Sequence, residues 1–165
     1  MFSIRIKNYK CFGNGLHGFS EIKPINLIIG RNNSGKSSLI DLVENVIKPQ
    51  NIEQTGHLNN VPEIIITQTV EEQLLRNVFK EDSWGGPIPG KHWSFGQSYI
   101  GSELTYTLGF EKQRKFISIK PDFKLSGLSE YANQLVKQII LPFQQKVFKK
   151  ISSERAIAVE NPSDN

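Results

Sequence analysis

The chain has 165 residues, of which 38% are hydrophobic and 22% charged, enough for one soluble domain with a packed core. No apolar run approaches the roughly 20 residues needed to cross a bilayer, and the N-terminus has no signal-peptide core, so no membrane partner is expected and the cytoplasm is the expected location. A single cysteine, Cys11, excludes an internal disulfide and any multi-cysteine metal site, and the net charge of +4 fits either contact with a polyanion or plain solvated faces.

In chain order, Phe2, Ile4 and Ile6 alternate with Ser3, Arg5 and Lys7, the period of a half-buried strand. A glycine-broken turn follows at Gly13 to Gly15, then a second strand over Leu16 to Ile22. After Pro24, the run Ile25 to Ile29 reads as a short central strand covered on both faces. A helix is predicted from Lys36 to Lys48, with Leu39, Leu42, Val43, Val46 and Ile47 on one face and Pro49 just past its end. Ile64 to Thr67 reads as a strand and Val70 to Phe79 as a helix. Residues 81–101 carry five glycines and two prolines and read as a long loop or insertion. Glu103 to Phe110 and Lys115 to Lys120 pair as an antiparallel hairpin. A helix begins near Ser129 and extends toward Lys149, bent or broken at Pro142, and a frayed tail closes the chain at 161–165.

The segment Gly30-Arg31-Asn32-Asn33-Ser34-Gly35-Lys36-Ser37 carries the chemistry. It is glycine, four residues, then Gly-Lys-Ser, and a chance match in a chain this long is on the order of 1 in 200. Glycines let the backbone turn tightly and approach phosphate closely. Successive N–H groups then point into one concavity at a helix N-terminus, where the dipole also favours anions. Lys36 is expected to reach the β- and γ-phosphates of a nucleoside triphosphate, most readily ATP, and is assigned the catalytic role. Ser37 is expected to place its hydroxyl on Mg²⁺, and Ser38 to offer a further hydroxyl or N–H.

The stretch Ile4 to Phe12, followed by Ile25 to Leu39 with its Gly-Arg-Asn-Asn-Ser-Gly-Lys-Ser-Ser core, resembles the opening of ABC-type ATPases of the SMC/RecF/OLD kind. The double asparagine Asn32-Asn33 points toward OLD-like and related AAA-type ATPases of bacterial defence or DNA metabolism. The resemblance implies an α/β fold: a P-loop NTPase lobe over residues 1–160. In it a central sheet carries the loop, and an antiparallel sheet is built from the N-terminal strands and the 103–120 hairpin. It implies ATP and Mg²⁺ as ligands and heads that dimerise around nucleotide, with an effector protein or DNA as further partners. It places Lys10 where a basic side chain lies near the nucleotide, a plain surface lysine being the other reading. The Ser-Glu-Arg segment ending at Arg155 resembles one seen downstream in such proteins, where an arginine approaches nucleotide, DNA or a partner subunit; a structural ion pair is the alternative.

Hydrolysis in that family needs an apolar strand ending in Asp-Glu and a Leu-Ser-Gly-Gly-type signature. No run here ends in Asp-Glu. Leu125-Ser126-Gly127-Leu128-Ser129 reads as a turn into a helix, and Gln68 is only a candidate for the glutamine that follows a strand in such sites. The expectation is therefore an N-terminal lobe of a longer ATPase, which alone hydrolyses almost nothing; a non-catalytic nucleotide-binding module that organises a partner is the alternative. A transporter subunit and a small-molecule kinase fit the opening strands less well. Trp84, Trp93, Phe95 and Tyr99 either stack on nucleic-acid bases or cover the core, and His17, His57 and His92 read as ordinary surface or loop residues.

Overall fold

The computed structural model describes residues 1–47, 60–109, 113–121 and 129–139. Its centre is a five-stranded sheet formed by β1 (Phe2–Lys7), β2 (His17–Phe19), β3 (Glu63–Thr69), β6 (Glu103–Leu108) and β7 (Arg114–Lys120), in the order β2-β1-β3-β6-β7. Every neighbouring pair is antiparallel. The alternation read in β1 sets its register: Ile4 and Ile6 stand opposite Ile66 and Ile64, which stand opposite Tyr106 and Leu108. These six side chains share one face and are buried. At about 1.5–3 kcal/mol for each fully buried large apolar side chain, this face is the main source of stability.

The same core takes in Leu42 and Val46 of α1 (Lys36–Ile47), Leu75 and Val78 of α2 (Glu72–Val78), and Leu135 and Val136 of α4 (Ser129–Gln138). The opposite face is polar. Ser3, Thr67, Thr105 and Ser118 form a hydroxyl row across four strands, with the Thr67 and Thr105 hydroxyls 3.0 Å apart. A bulge in β7 opposite Thr105/Tyr106 shifts the alternation, so Lys115 and Lys120, five residues apart, both oppose outer-face residues (Thr107 and Glu103).

Several expectations change. Residues 81–101 hold a two-stranded hairpin of β4 (Trp84–Gly85) and β5 (Ile88–Lys91), then α3 (His92–Gly96) and a 3-10 turn over Gln97–Tyr99. Its glycines serve the turns: Gly85, Gly86 and Gly90 all have positive φ. Aromatic packing holds the segment on the core, with Phe95 against Phe79 and Tyr99, and Trp93 beneath the Arg76 guanidinium at 4.0 Å. His92 is no surface residue. It is buried, its Nε2 bonds the Gly85 carbonyl at 2.9 Å, and its ring meets Tyr131 edge-on. Trp84 alone of the four aromatics is exposed, at 65%.

The second correction is the strand at Ile25–Ile29. No strand forms there, and Ile25, Leu27 and Ile29 are 88%, 84% and 82% exposed. An apolar run becomes a central strand only where neighbours supply hydrogen bonds and cover, and no described strand lies beside this one. The central sheet expected to carry the loop is therefore not among the described residues, whereas the expected antiparallel sheet is. The strand expected over Leu16 to Ile22 shortens to His17–Phe19. Cys11 is exposed. Lys48, the helix beyond Ile139, the 125–128 turn, the 151–155 segment and His57 lie outside the described residues.

Candidate nucleotide-phosphate site

The loop from Gly30 to Ser34 is on the surface and runs straight into α1. Two residues make the turn. Asn33 has φ +62° and Gly35 φ +89°, both left-handed, and the Ser34 N–H donates to the Arg31 carbonyl at 3.3 Å. Asparagine tolerates that region and glycine occupies it without strain. At Gly30 the reason for glycine is space: a Cβ there would lie 2.7 Å from the Ser34 hydroxyl.

Lys36 opens α1 and folds back over the loop. Its ammonium donates to the Gly30 carbonyl at 2.7 Å and to the Arg31 carbonyl. The positive charge thus sits on the Gly30 and Arg31 backbone, held by carbonyls that a phosphate oxygen can replace as partner. The first turn of α1 holds no acidic residue, so the N–H groups and dipole there are not neutralised locally. Ser37 is exposed and Ser38 half-buried beside this turn.

A feature the sequence reading missed is the neighbour of this helix. After β1 the chain makes a tight turn in which the Tyr9 and Phe12 backbones exchange hydrogen bonds at 2.9 and 2.8 Å. Asn8 and Lys10 are left-handed, at φ 53° and 50°. Non-glycine residues pay of order 1 kcal/mol or more in that region, so the surroundings must hold them. The turn lies antiparallel along α1. Phe12 and Cys11 face Gly35, the Cys11 thiol donates to the Ser38 hydroxyl at 3.9 Å, the Lys10 ammonium pairs with Asp41, and the Asn45 amide donates to the Tyr9 hydroxyl at 3.1 Å. Positions 35, 38, 41 and 45 are spaced three or four apart and so share one helix face.

Lys10 is thus brought to the helix that follows the loop, but its charge is engaged by Asp41. Partial burial works against its ammonium; the hydrogen bond and charge of Asp41, with Tyr9, outweigh this and raise its pKa. Burial likewise raises the Tyr9 phenol, against the lowering effect of Lys10. Gln68 is placed elsewhere: it faces the sheet's inner side, where its Oε1 accepts from the Tyr106 hydroxyl at 3.2 Å. The sequence signal for this helix face is the polar spacing Ser38, Asp41, Asn45, which reads equally well as a solvated surface.

Among the described residues no group of three or more His, Cys, Asp or Glu side chains is placed to hold a metal, and no helix is long and apolar enough to cross a membrane. The donor set around the loop suits a triphosphate with its cation: free amides at a helix start, an ammonium, and an exposed hydroxyl at Ser37.

No family model matches the chain, and no characterised relative matches it. A solved structure reported as "Structural biochemistry of ATP-driven dimerization and DNA stimulated activation of SMC ATPases" superposes over 90% of this chain and 84% of its own, at 16% identity and a TM-score of 0.39. A likeness this slight carries no weight for the fold or the activity of this chain.

Proposed function

We propose that this chain binds ATP with Mg²⁺ on the loop Gly30 to Ser38, as the nucleotide-binding part of an ABC-type ATPase head of the SMC/RecF/OLD-like group. The observation that carries the reading is the turn at Gly35 with the Lys36 ammonium folded over it at the start of α1. In it, the backbone amides of Asn33 and of Gly35 to Ser38 hold phosphate oxygens. Lys36 exchanges its two carbonyl partners for phosphate and neutralises charge, and the Ser37 hydroxyl is a ligand for the cation. The bound cation supplies charge neutralisation between phosphate oxygens. Gly30, Arg31 and Asn32 shape the entry.

The wider reading is that heads of this kind associate around nucleotide as a homodimer or higher oligomer, and pass the change to DNA or to a defence effector, in the cytoplasm. It rests on the resemblance of the loop and of Ile4 to Phe12. The alternative is a module that binds nucleotide without cleaving it and organises a partner protein. Titration of the purified chain with a fluorescent ATP analogue and Mg²⁺ tests the shared core. Saturable binding is expected, competed by ATP, weakened by Lys36→Ala and made Mg²⁺-independent by Ser37→Ala. No binding at millimolar nucleotide would overturn it. A turnover of several per second, abolished by Lys36→Ala, would overturn the expectation that this chain alone is inactive.

A further inference from the structure

We propose that the turn Tyr9 to Phe12 is a clamp that positions the phosphate loop, with Phe12 as its positioning residue. This rests on the reading of the loop as a nucleotide site and adds residues to it that the loop pattern does not contain.

Gly35 is the pivot between loop and helix. A Cβ built there would lie 2.7 Å from Phe12 Cζ and 2.9 Å from both Phe12 Cε1 and Cys11 Sγ. The Phe12 ring therefore sits directly on the Gly35 backbone, as close as only glycine allows. Its other side stacks on His17 in β2, with centroids 4.8 Å apart and planes at 21°. The pivot is thus sandwiched against a ring that is itself braced by the sheet.

Three further contacts fix the turn's position along α1: Cys11 to Ser38, Lys10 to Asp41, and Asn45 to Tyr9. The first two lie within the first two turns of the helix, where phosphate-facing amides must be held in place. Tyr9 is fully buried, so the turn is anchored to the core at one end and to the loop at the other. Lys10 within this turn and Asn8 just before it are left-handed non-glycine residues, a cost borne where the position of the turn matters. A loop held in advance loses less freedom on binding, so removal of the clamp should weaken binding without unfolding the sheet.

The test uses fluorescent ATP analogue binding, thermal melting, and alkylation of Cys11 by iodoacetamide; Cys11 is the sole cysteine, so the label has one address. Phe12→Ala is expected to weaken nucleotide binding about tenfold through loss of preorganisation, in protein that melts lower, because Phe12 packs against the core, but still cooperatively. Phe12→Leu is expected to recover most of it, because a bulky apolar group returns to Gly35. Saturating ATP with Mg²⁺ is expected to slow Cys11 alkylation in the wild type and not in Lys36→Ala. In nucleotide-free protein, Gly35→Ala and Phe12→Ala are expected to speed alkylation, because both release the turn. Unaltered affinity in Phe12→Ala, or unaltered nucleotide-free alkylation in both variants, would overturn the clamp. No ATP binding by the wild type, with alkylation still faster in the two variants, would overturn the functional reading and leave the turn as a structural contact only, which also defeats the positioning role.

Discussion

The Arg114 guanidinium caps α4: its Nη1 donates to the Val136 carbonyl at 3.2 Å and also to the Ile139 carbonyl. These carbonyls have no partner within the helix, and a cation at a helix C-terminus also meets its dipole favourably. One side chain from β7 thereby ties the last helical turn to the sheet edge. Arg114→Ala is expected to cost about 2 kcal/mol in urea unfolding, the scale of charge-assisted bonds to partly buried groups. Arg114→Lys is expected to recover less than half, because the lysine side chain ends one bond short of the position of Nη1, from which both bonds are made. A loss within experimental error for Arg114→Ala would show that α4 is held by its apolar face alone.

Alkaline pH is expected to destabilise the fold. The pKa values of Lys10, Tyr9 and Tyr106 are all raised in the folded chain, Lys10 by Asp41 acting against burial, the two phenols chiefly by burial. Groups with raised folded values hold their stabilising contribution below their unfolded values, 10.5 for the lysine and 10.0 for the tyrosines, and lose it as pH rises through the folded ones. Melting temperature is thus expected to be flat with respect to these groups up to about pH 9.5 and to fall above it. Absorbance at the tyrosinate band should show Tyr9 and Tyr106 ionising late and together with unfolding. Ionisation of both at the ordinary tyrosine value in the folded chain would contradict this.

The parts of the fold that sequence made legible are those set by period alone. Phe2, Ile4 and Ile6 alternate, and they are buried; the 103–120 hairpin forms as expected, and α1 buries Leu42 and Val46 from its predicted apolar face. What period cannot convey is neighbours. Ile25 to Ile29 has the composition of a covered strand and lies uncovered, and the glycine-rich 81–101 stretch looked structureless because its order comes from side chains outside it: Arg76 and Phe79 of the preceding helix and its end, and the distant Tyr131. The loop's chemistry was legible, since it needs specific residues at fixed spacing. The turn that packs on Gly35 was not, because Phe12 touches it only once β1 and α1 are side by side.

Gly96 reverses the usual helix rule. Its backbone is helical, at φ −60° and ψ −38°, where alanine ordinarily stabilises by about 0.5–1 kcal/mol. A Cβ here would lie 2.6 Å from both Cβ and Cγ of Phe79. Phe79 is fully buried and stacks on Tyr131 at 5.2 Å, so it has little room to retreat. Gly96→Ala is therefore expected to lose about 1–3 kcal/mol, the cost of overpacking a filled core. Thermal unfolding decides the sign, and a stabilised variant would mean that Phe79 shifts freely.

The exposed run Ile25, Leu27 and Ile29 leads to a contrast with the core that can be measured directly. Leu27 is 84% exposed, whereas Ile64, in the neighbouring sheet, is 1% exposed. Threonine keeps the β-branched shape of Ile64 and shortens the side chain at Leu27, and in both places it adds a hydroxyl, which costs little in water and much in a dry core. Leu27→Thr is expected to change stability by no more than about 0.5 kcal/mol, as surface substitutions do. Ile64→Thr removes apolar volume and buries an extra polar atom, and is expected to cost about 2–4 kcal/mol. A contiguous exposed apolar run also promotes association, so Leu27→Thr should reduce light scattering at high concentration. A loss above about 1 kcal/mol at Leu27 would exceed what an exposed side chain can supply; it would show that residues 25–29 pack in solution, and the segment before the phosphate loop would be a covered strand after all.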